Sequence, residues 1–227
     1  MSHAVVQLPL GIGIKDNITF ENFYPAGNEL LVETLRLDNE QYVYLWGDRN
    51  TGKSHLLQAV CHAENSKGLH PVYLPLSESA QLSPEMLEGL EQTKVVVLDD
   101  IELIAGQPKW EEALFALYNV VKDENARLIV SSRLPPAALE LKLADLASRL
   151  SWGPVFHVEP LHDGEKCAAL QMRAEQRGLK LENEVAEYMI KRCPRDMASL
   201  FNLLNKLDQA SMVAKRRLTI PFVRSLL

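Results

Sequence analysis

Eight consecutive residues restrict the possible folds of this chain more than any other segment. Gly47-Asp48-Arg49-Asn50-Thr51-Gly52-Lys53-Ser54 is a complete GxxxxGK[ST] pattern standing between an apolar run and a helical one. Backbone N–H groups of such a loop, with the first turn of the following helix, cradle phosphate oxygens. The lysine reaches the β- and γ-phosphates, and the hydroxyl ligates Mg²⁺. On that pattern Gly47, Asn50, Thr51, Gly52, Lys53, Ser54 and His55 are candidate nucleotide contacts, with ADP or ATP as the ligand and Mg²⁺ at Ser54.

The flanking sequence agrees with a strand–loop–helix unit. Residues 42–46, YVYLW, are aromatic and β-branched, as a buried strand requires. Residues 53–64 carry Leu56, Leu57 and Val60 on one helical face. Further strands are expected at 70–76, 95–98, 128–130 and 155–158, and a helix at 111–123. The apolar runs are too continuous for a half-exposed sheet, so a five-stranded parallel α/β core flanked by helices is predicted. After Pro160 the pattern becomes helical, over 164–177, 182–192, 197–214 and 220–227. Three regions follow: a flexible tail at 1–18, an α/β nucleotide-binding domain at 19–160 and a small all-α domain at 161–227.

The run Val95-Val96-Val97-Leu98 ends in Asp99-Asp100. Ligands of open α/β sheets sit outside the C-terminal strand ends, so the acid pair and the phosphate loop converge on one edge. Asp99 is the candidate second Mg²⁺ ligand. Asp100 is placed to polarise an attacking water, although a glutamate would reach further. Slow or absent intrinsic ATP turnover is therefore expected.

Charge and cysteines narrow the partners. With 24 Lys+Arg against 30 Asp+Glu, the net charge is −6, which opposes phosphate-backbone binding. The basic cluster Lys215-Arg216-Arg217 follows a helical stretch and reads as a solvated or dipole-capping group. Three scattered cysteines form no CxxC pair, and no stretch has the length of a membrane span. A reduced, cytoplasmic setting without membrane attachment is expected.

With these motifs placed, the chain resembles AAA+ proteins of the DnaA family. The resemblance rests on GKSHLLQAV (52–60), VVVLDDIELI (95–104), SSRLPP (131–136), LASRLSWG (146–153) and TFENF (19–23), and runs from Thr19 onward. It implies an AAA+ core followed by a lid. It places Ser132 as a polar sensor of the γ-phosphate, where relatives commonly carry Asp. It makes Arg149 an arginine finger that enters a neighbour's nucleotide site, and Arg195 a lid arginine on the phosphates. Phe20, Phe23 and Tyr24 are expected either to border the base or to be ordinary core.

The resemblance also bears on partners. Initiators of this family continue into a DNA-reading helix-turn-helix domain, whereas this sequence ends at Leu227. A regulator is thus expected, without direct sequence-specific DNA binding. Gln7-Leu8-Pro9-Leu10 resembles the peptide that docks on the sliding clamp, the β subunit of DNA polymerase III. Gln7, Leu8 and Leu10 would make those contacts. The implied activity is promotion of hydrolysis of DnaA-bound ATP, with ADP in the chain's own site. The alternatives are a self-assembling ATPase that remodels a nucleoprotein complex and a helicase-loader-like factor. AAA+ faces pair with self or partner, so a homodimer or homo-oligomer stays open.

Overall fold

The computed structural model describes residues 18–90, 92–214 and 217–227. The clamp-peptide residues Gln7, Leu8 and Leu10, and Lys215-Arg216, lie outside the described residues; Arg217 is exposed.

Five strands, β1 (Tyr42–Trp46), β2 (Val72–Pro75), β3 (Val95–Asp99), β4 (Arg127–Ser132) and β5 (Val155–His157), form one parallel sheet in the order β2-β3-β4-β1-β5. Side chains alternate across a strand, and the alternation here builds two cores. Tyr42, Tyr44, Val96, Leu98, Leu128 and Val130 face one side, where α3 (Pro108–Asp123) covers them with Leu114, Leu117 and Tyr118. Val43, Leu45, Val95, Val97 and Ile129 face the other. There α1 (Glu29–Leu37) supplies Leu31 and Leu35, and α2 (Lys53–Ser66) supplies Leu56, Leu57 and Val60. Burial on both faces is why these strands read as unbroken apolar runs. β5 departs from the pattern: it lies at the sheet edge, and Val155 and His157 are exposed.

The expected helices form with small boundary shifts. α3 begins three residues early, at Pro108, because proline at the first helical position loses no hydrogen bond. Two helices absent from the sequence reading are α1 and the six-residue α4 (Ala144–Arg149). The loop into α4 is fixed by a buried carboxylate. Glu111 accepts from the backbone N–H groups of Gly106 (2.6 Å), Lys142 (2.9 Å) and Leu143 (2.7 Å).

Beyond residue 160 the helices α5 (Asp163–Glu175), α6 (Asn183–Arg192), α7 (Met197–Ala214) and α8 (Ile220–Arg224) pack as a helical lid region. They enclose their own apolar cluster, which includes Leu170, Met189, Leu200, Leu204, Leu207 and Val223. Thr219 caps α8 by accepting from Phe222 N–H at 3.4 Å. Asn28 fastens the start of the lid connection. Its amide accepts from Glu159 N–H at 2.9 Å and donates to the Glu159 carbonyl at 3.1 Å.

Candidate functional site

The phosphate-binding pattern occupies the turn between β1 and α2. Gly52 stands at φ +102°, and a Cβ there would lie 2.7 Å from Phe23 Cε2, so glycine is required by both conformation and space. Thr51 Oγ donates to the Asp48 carbonyl at 3.0 Å and tightens the loop. Lys53 is nearly buried, and its ammonium donates to the carbonyls of Gly47 (2.7 Å) and Asp48 (2.8 Å). Burial lowers its pKa, opposed by the charges of Asp100 and Asp99. Neutral carbonyls are replaceable partners for an ammonium, because an ionised oxygen adds charge–charge attraction to the hydrogen bond.

The loop opens into a cleft of about 520 Å³ between the α/β core and the lid region. The core contributes Asn50, Thr51, Gly52, Lys53, Ser54 and His55. Arg195, Met197 and Phe201 come from the start of α7 and its approach, and Lys166 from α5. Gly47 lies just behind, its N–H donating to the Ser132 carbonyl at 3.3 Å. Arg195 reaches into open solvent, with Nη1 3.8 Å from Asp163 Oδ2. The same aspartate pairs with Lys166 at 3.4 Å, so one lid carboxylate holds two cations at the cleft.

The three aromatic residues divide. Phe20 belongs to the core under α2. Phe23 and Tyr24 line the cleft. His55 fixes this segment, its Nε2 lying 3.0 Å from the Thr19 carbonyl and its ring 5.4 Å from that of Phe23. Burial lowers the His55 pKa, so the neutral ring carries its proton on Nε2 and donates to Thr19.

Asp99 and Asp100 stand at the end of β3 behind the phosphate loop and do not line the cleft. Both Asp99 oxygens are engaged: Oδ2 accepts from the Tyr73 hydroxyl at 2.7 Å and Oδ1 from the Ser131 hydroxyl. The Ser131 oxygen also accepts from Asp100 N–H at 3.2 Å. Strand alternation therefore gives Ser131, not the neighbouring Ser132, to the acid pair. Ser132 is buried, its oxygen accepting from Leu134 N–H at 3.1 Å. Asp100 adopts a left-handed conformation (φ +61°), and its pKa is raised by burial, with Asp99 and Glu102 adding to the rise.

Arg149 does not line this cleft. It closes α4 and lies over α3, 3.6 Å from the Phe115 ring centroid. Residues missed from sequence are those that reach the site across the fold, chiefly Lys166, Phe201, Tyr73 and Ser131. Lys166 lies on an ordinary amphipathic helix, and nothing in the local sequence separates it from a solvated lysine. Tyr73 and Ser131 sit on strands already assigned, where register with Asp99 would have drawn attention to them.

A parallel sheet in this order, a phosphate-loop turn after β1 and a helical lid define a P-loop protein of the AAA+ class. The family model for the bacterial DnaA ATPase domain matches residues 15–157, and the model for the Hda lid domain matches residues 163–227. The chain belongs to the bacterial DnaA family, with a lid of the Hda type. Solved structures that share the fold include the following three. Domain III of the Thermotoga maritima replication initiation protein DnaA has a TM-score of 0.78 at 20% identity, covering 95% of this chain and 97% of that chain. AMPPCP-bound DnaA from Aquifex aeolicus has a TM-score of 0.71 at 20% identity, with coverages of 86% and 66%. RuvB from Thermotoga maritima has a TM-score of 0.64 at 15% identity, with coverages of 91% and 72%. Among the described residues no helix is long and apolar enough to cross a membrane.

Proposed function

We propose that this chain is a nucleotide-gated regulator of replication initiation, of the Hda type, which promotes hydrolysis of ATP bound to DnaA. The observation that carries the reading is the separation of two motifs. The phosphate loop faces the chain's own cleft, while Arg149 is not among the residues that line it and closes α4 instead, which supports a role on a neighbouring subunit. In trans, its guanidinium would neutralise charge on the transferring phosphoryl group. The core (19–160) and lid (161–227) act as two bodies joined at the nucleotide. Tethering through Gln7, Leu8 and Leu10 to the sliding clamp on DNA brings the regulator to its partner. Self-association into dimers or larger assemblies would use the same AAA+ faces.

The donor set suits a nucleotide. Loop amides at Asn50–Gly52 and the Lys53 ammonium take the terminal phosphates, and Arg195 approaches from the lid. Bound ADP would set the angle between core and lid, making the site a switch. Mg²⁺ would be held at Ser54, with Asp99 behind it, and the nucleotide's phosphates completing its shell. The engaged oxygens of Asp99, and a cleft lining that does not include Asp100, support weak intrinsic turnover.

The test is hydrolysis of DnaA-bound ATP on clamp-loaded DNA. Arg149→Ala is expected to lower stimulation by about 10³-fold or more, the usual effect of removing an arginine finger. Gln7→Ala is expected to lose retention on the clamp. Full stimulation by Arg149→Ala would refute the trans role, and undiminished retention of Gln7→Ala would refute the tether.

A further inference from the structure

Arg149 rests against α3 in a particular way. Its guanidinium is stacked 3.6 Å from the Phe115 ring centroid and 5.1 Å from that of Trp152. Nη1 donates to the Phe115 carbonyl at 3.3 Å and to the side-chain oxygen of Asn119. Phe115 and Asn119 are four residues apart on α3 and so share one face of the helix. Both acceptors are neutral, and Arg149 forms no ion pair with a carboxylate among the described residues. Trp152 is 43% exposed beside this stack, so the arrangement lies at the molecular surface.

We propose that Asn119 and Phe115 form a parking place that holds Arg149 folded on α3 until charge on a neighbouring subunit's phosphates draws it out. Asn119 is then a positioning residue. The inference rests on the trans role assigned to Arg149 above. Its physical basis is the mismatch in strength between two sets of partners. Neutral acceptors and an aromatic face order a long side chain, yet a phosphate oxygen outcompetes them because it adds charge–charge attraction and bidentate geometry to the hydrogen bonds. A carboxylate in place of the Asn119 amide would match the phosphate and hold the finger back. The amide is therefore the side chain that orders the arginine without trapping it.

The variants Asn119→Asp, Asn119→Ala and Arg149→Ala separate the possibilities. Each is measured for retention on clamp-loaded DNA, thermal midpoint and single-turnover hydrolysis of the partner's bound ATP. Asn119→Asp is expected to slow hydrolysis about tenfold, the effect of one charge-assisted bond that must be broken. Its retention should match the unsubstituted protein, and its midpoint should be equal or higher, since a tighter hold on Arg149 also stabilises the fold. Asn119→Ala should hydrolyse at the unsubstituted rate or faster. A merely structural residue gives the reverse order, since aspartate is the closer match in shape. Equal rates for both variants, or a slower alanine variant, would overturn the parking place while leaving the finger intact. If Arg149→Ala alone retained full stimulation, the trans reading would fall and this inference with it.

Discussion

Gly153→Ala is expected to destabilise the protein by about 3 kcal/mol or more, the upper range for forced overpacking. A Cβ at this position would lie 1.8 Å from the Tyr42 carbonyl oxygen and 2.6 Å from its carbonyl carbon. Both are backbone atoms of β1, so no side-chain rotation relieves the clash. The turn between α4 and β5 must move away, and two interactions go with it. One is the hydrogen bond from Tyr44 N–H to the Pro154 carbonyl, 3.0 Å long. The other is the edge contact of Trp152 with Tyr42, 5.6 Å between centroids. Chemical denaturation measures the loss. Gly164→Ala is the matched control, because a Cβ there meets nothing within 4 Å and the residue is helical. Alanine in a helix is favoured over glycine, so that variant should gain up to about 1 kcal/mol. A Gly153→Ala protein as stable as its parent would mean that the turn does not approach β1 this closely.

Lys53→Ala is expected to weaken ADP binding about 100-fold, equivalent to one or two charge-assisted hydrogen bonds to phosphate. Stability without nucleotide should change little. The ammonium is buried against only two carbonyls, and burial lowers its pKa, so the charged form gains little from folding. The pair of results separates a ligand-binding role from a structural one. A large fall in thermal midpoint with unaltered ADP affinity would assign Lys53 to the scaffold instead. Loss of affinity at constant midpoint is the predicted outcome.

Much of this architecture was legible because buried parallel strands have to be apolar on both faces. YVYLW and VVVLD leave little alternative to central strands, and the phosphate-loop pattern fixes which strand and helix are joined. The sheet order itself did not follow from any local feature. β5 was read as buried from the same apolar character, but its edge position leaves Val155 and His157 exposed. α1 escaped notice because Leu30 and Leu37 interrupt its polar face, being 68% and 61% exposed. Only Leu31 and Leu35 of that helix are buried, a stripe too narrow to stand out. α4 is six residues long, too short for a periodic signal.

The site was legible in proportion to how local it is. The residues 50–55 that line the cleft are consecutive, and their chemistry is written in one motif. Arg195 and Arg149 came from resemblance, since neither is marked by its neighbours as more than a helix-terminal cation. What the sequence hid were relations across the fold. The hydroxyls of Tyr73 and Ser131 come to Asp99 from β2 and β4, the strands on either side of β3. Asn119 meets Arg149 across thirty positions of sequence. Such pairs depend on register and helix packing, which a single sequence does not display.

The central claim is that the cleft between the phosphate loop and the lid takes the phosphates of a nucleotide. Calorimetric titration of ADP into the intact protein tests it most directly. The predicted result is saturable heat with one site per chain, and a thermal midpoint that rises with ADP concentration, as linkage requires of a ligand that binds the folded state. No heat and no shift with ADP or ATP at millimolar concentration would contradict it.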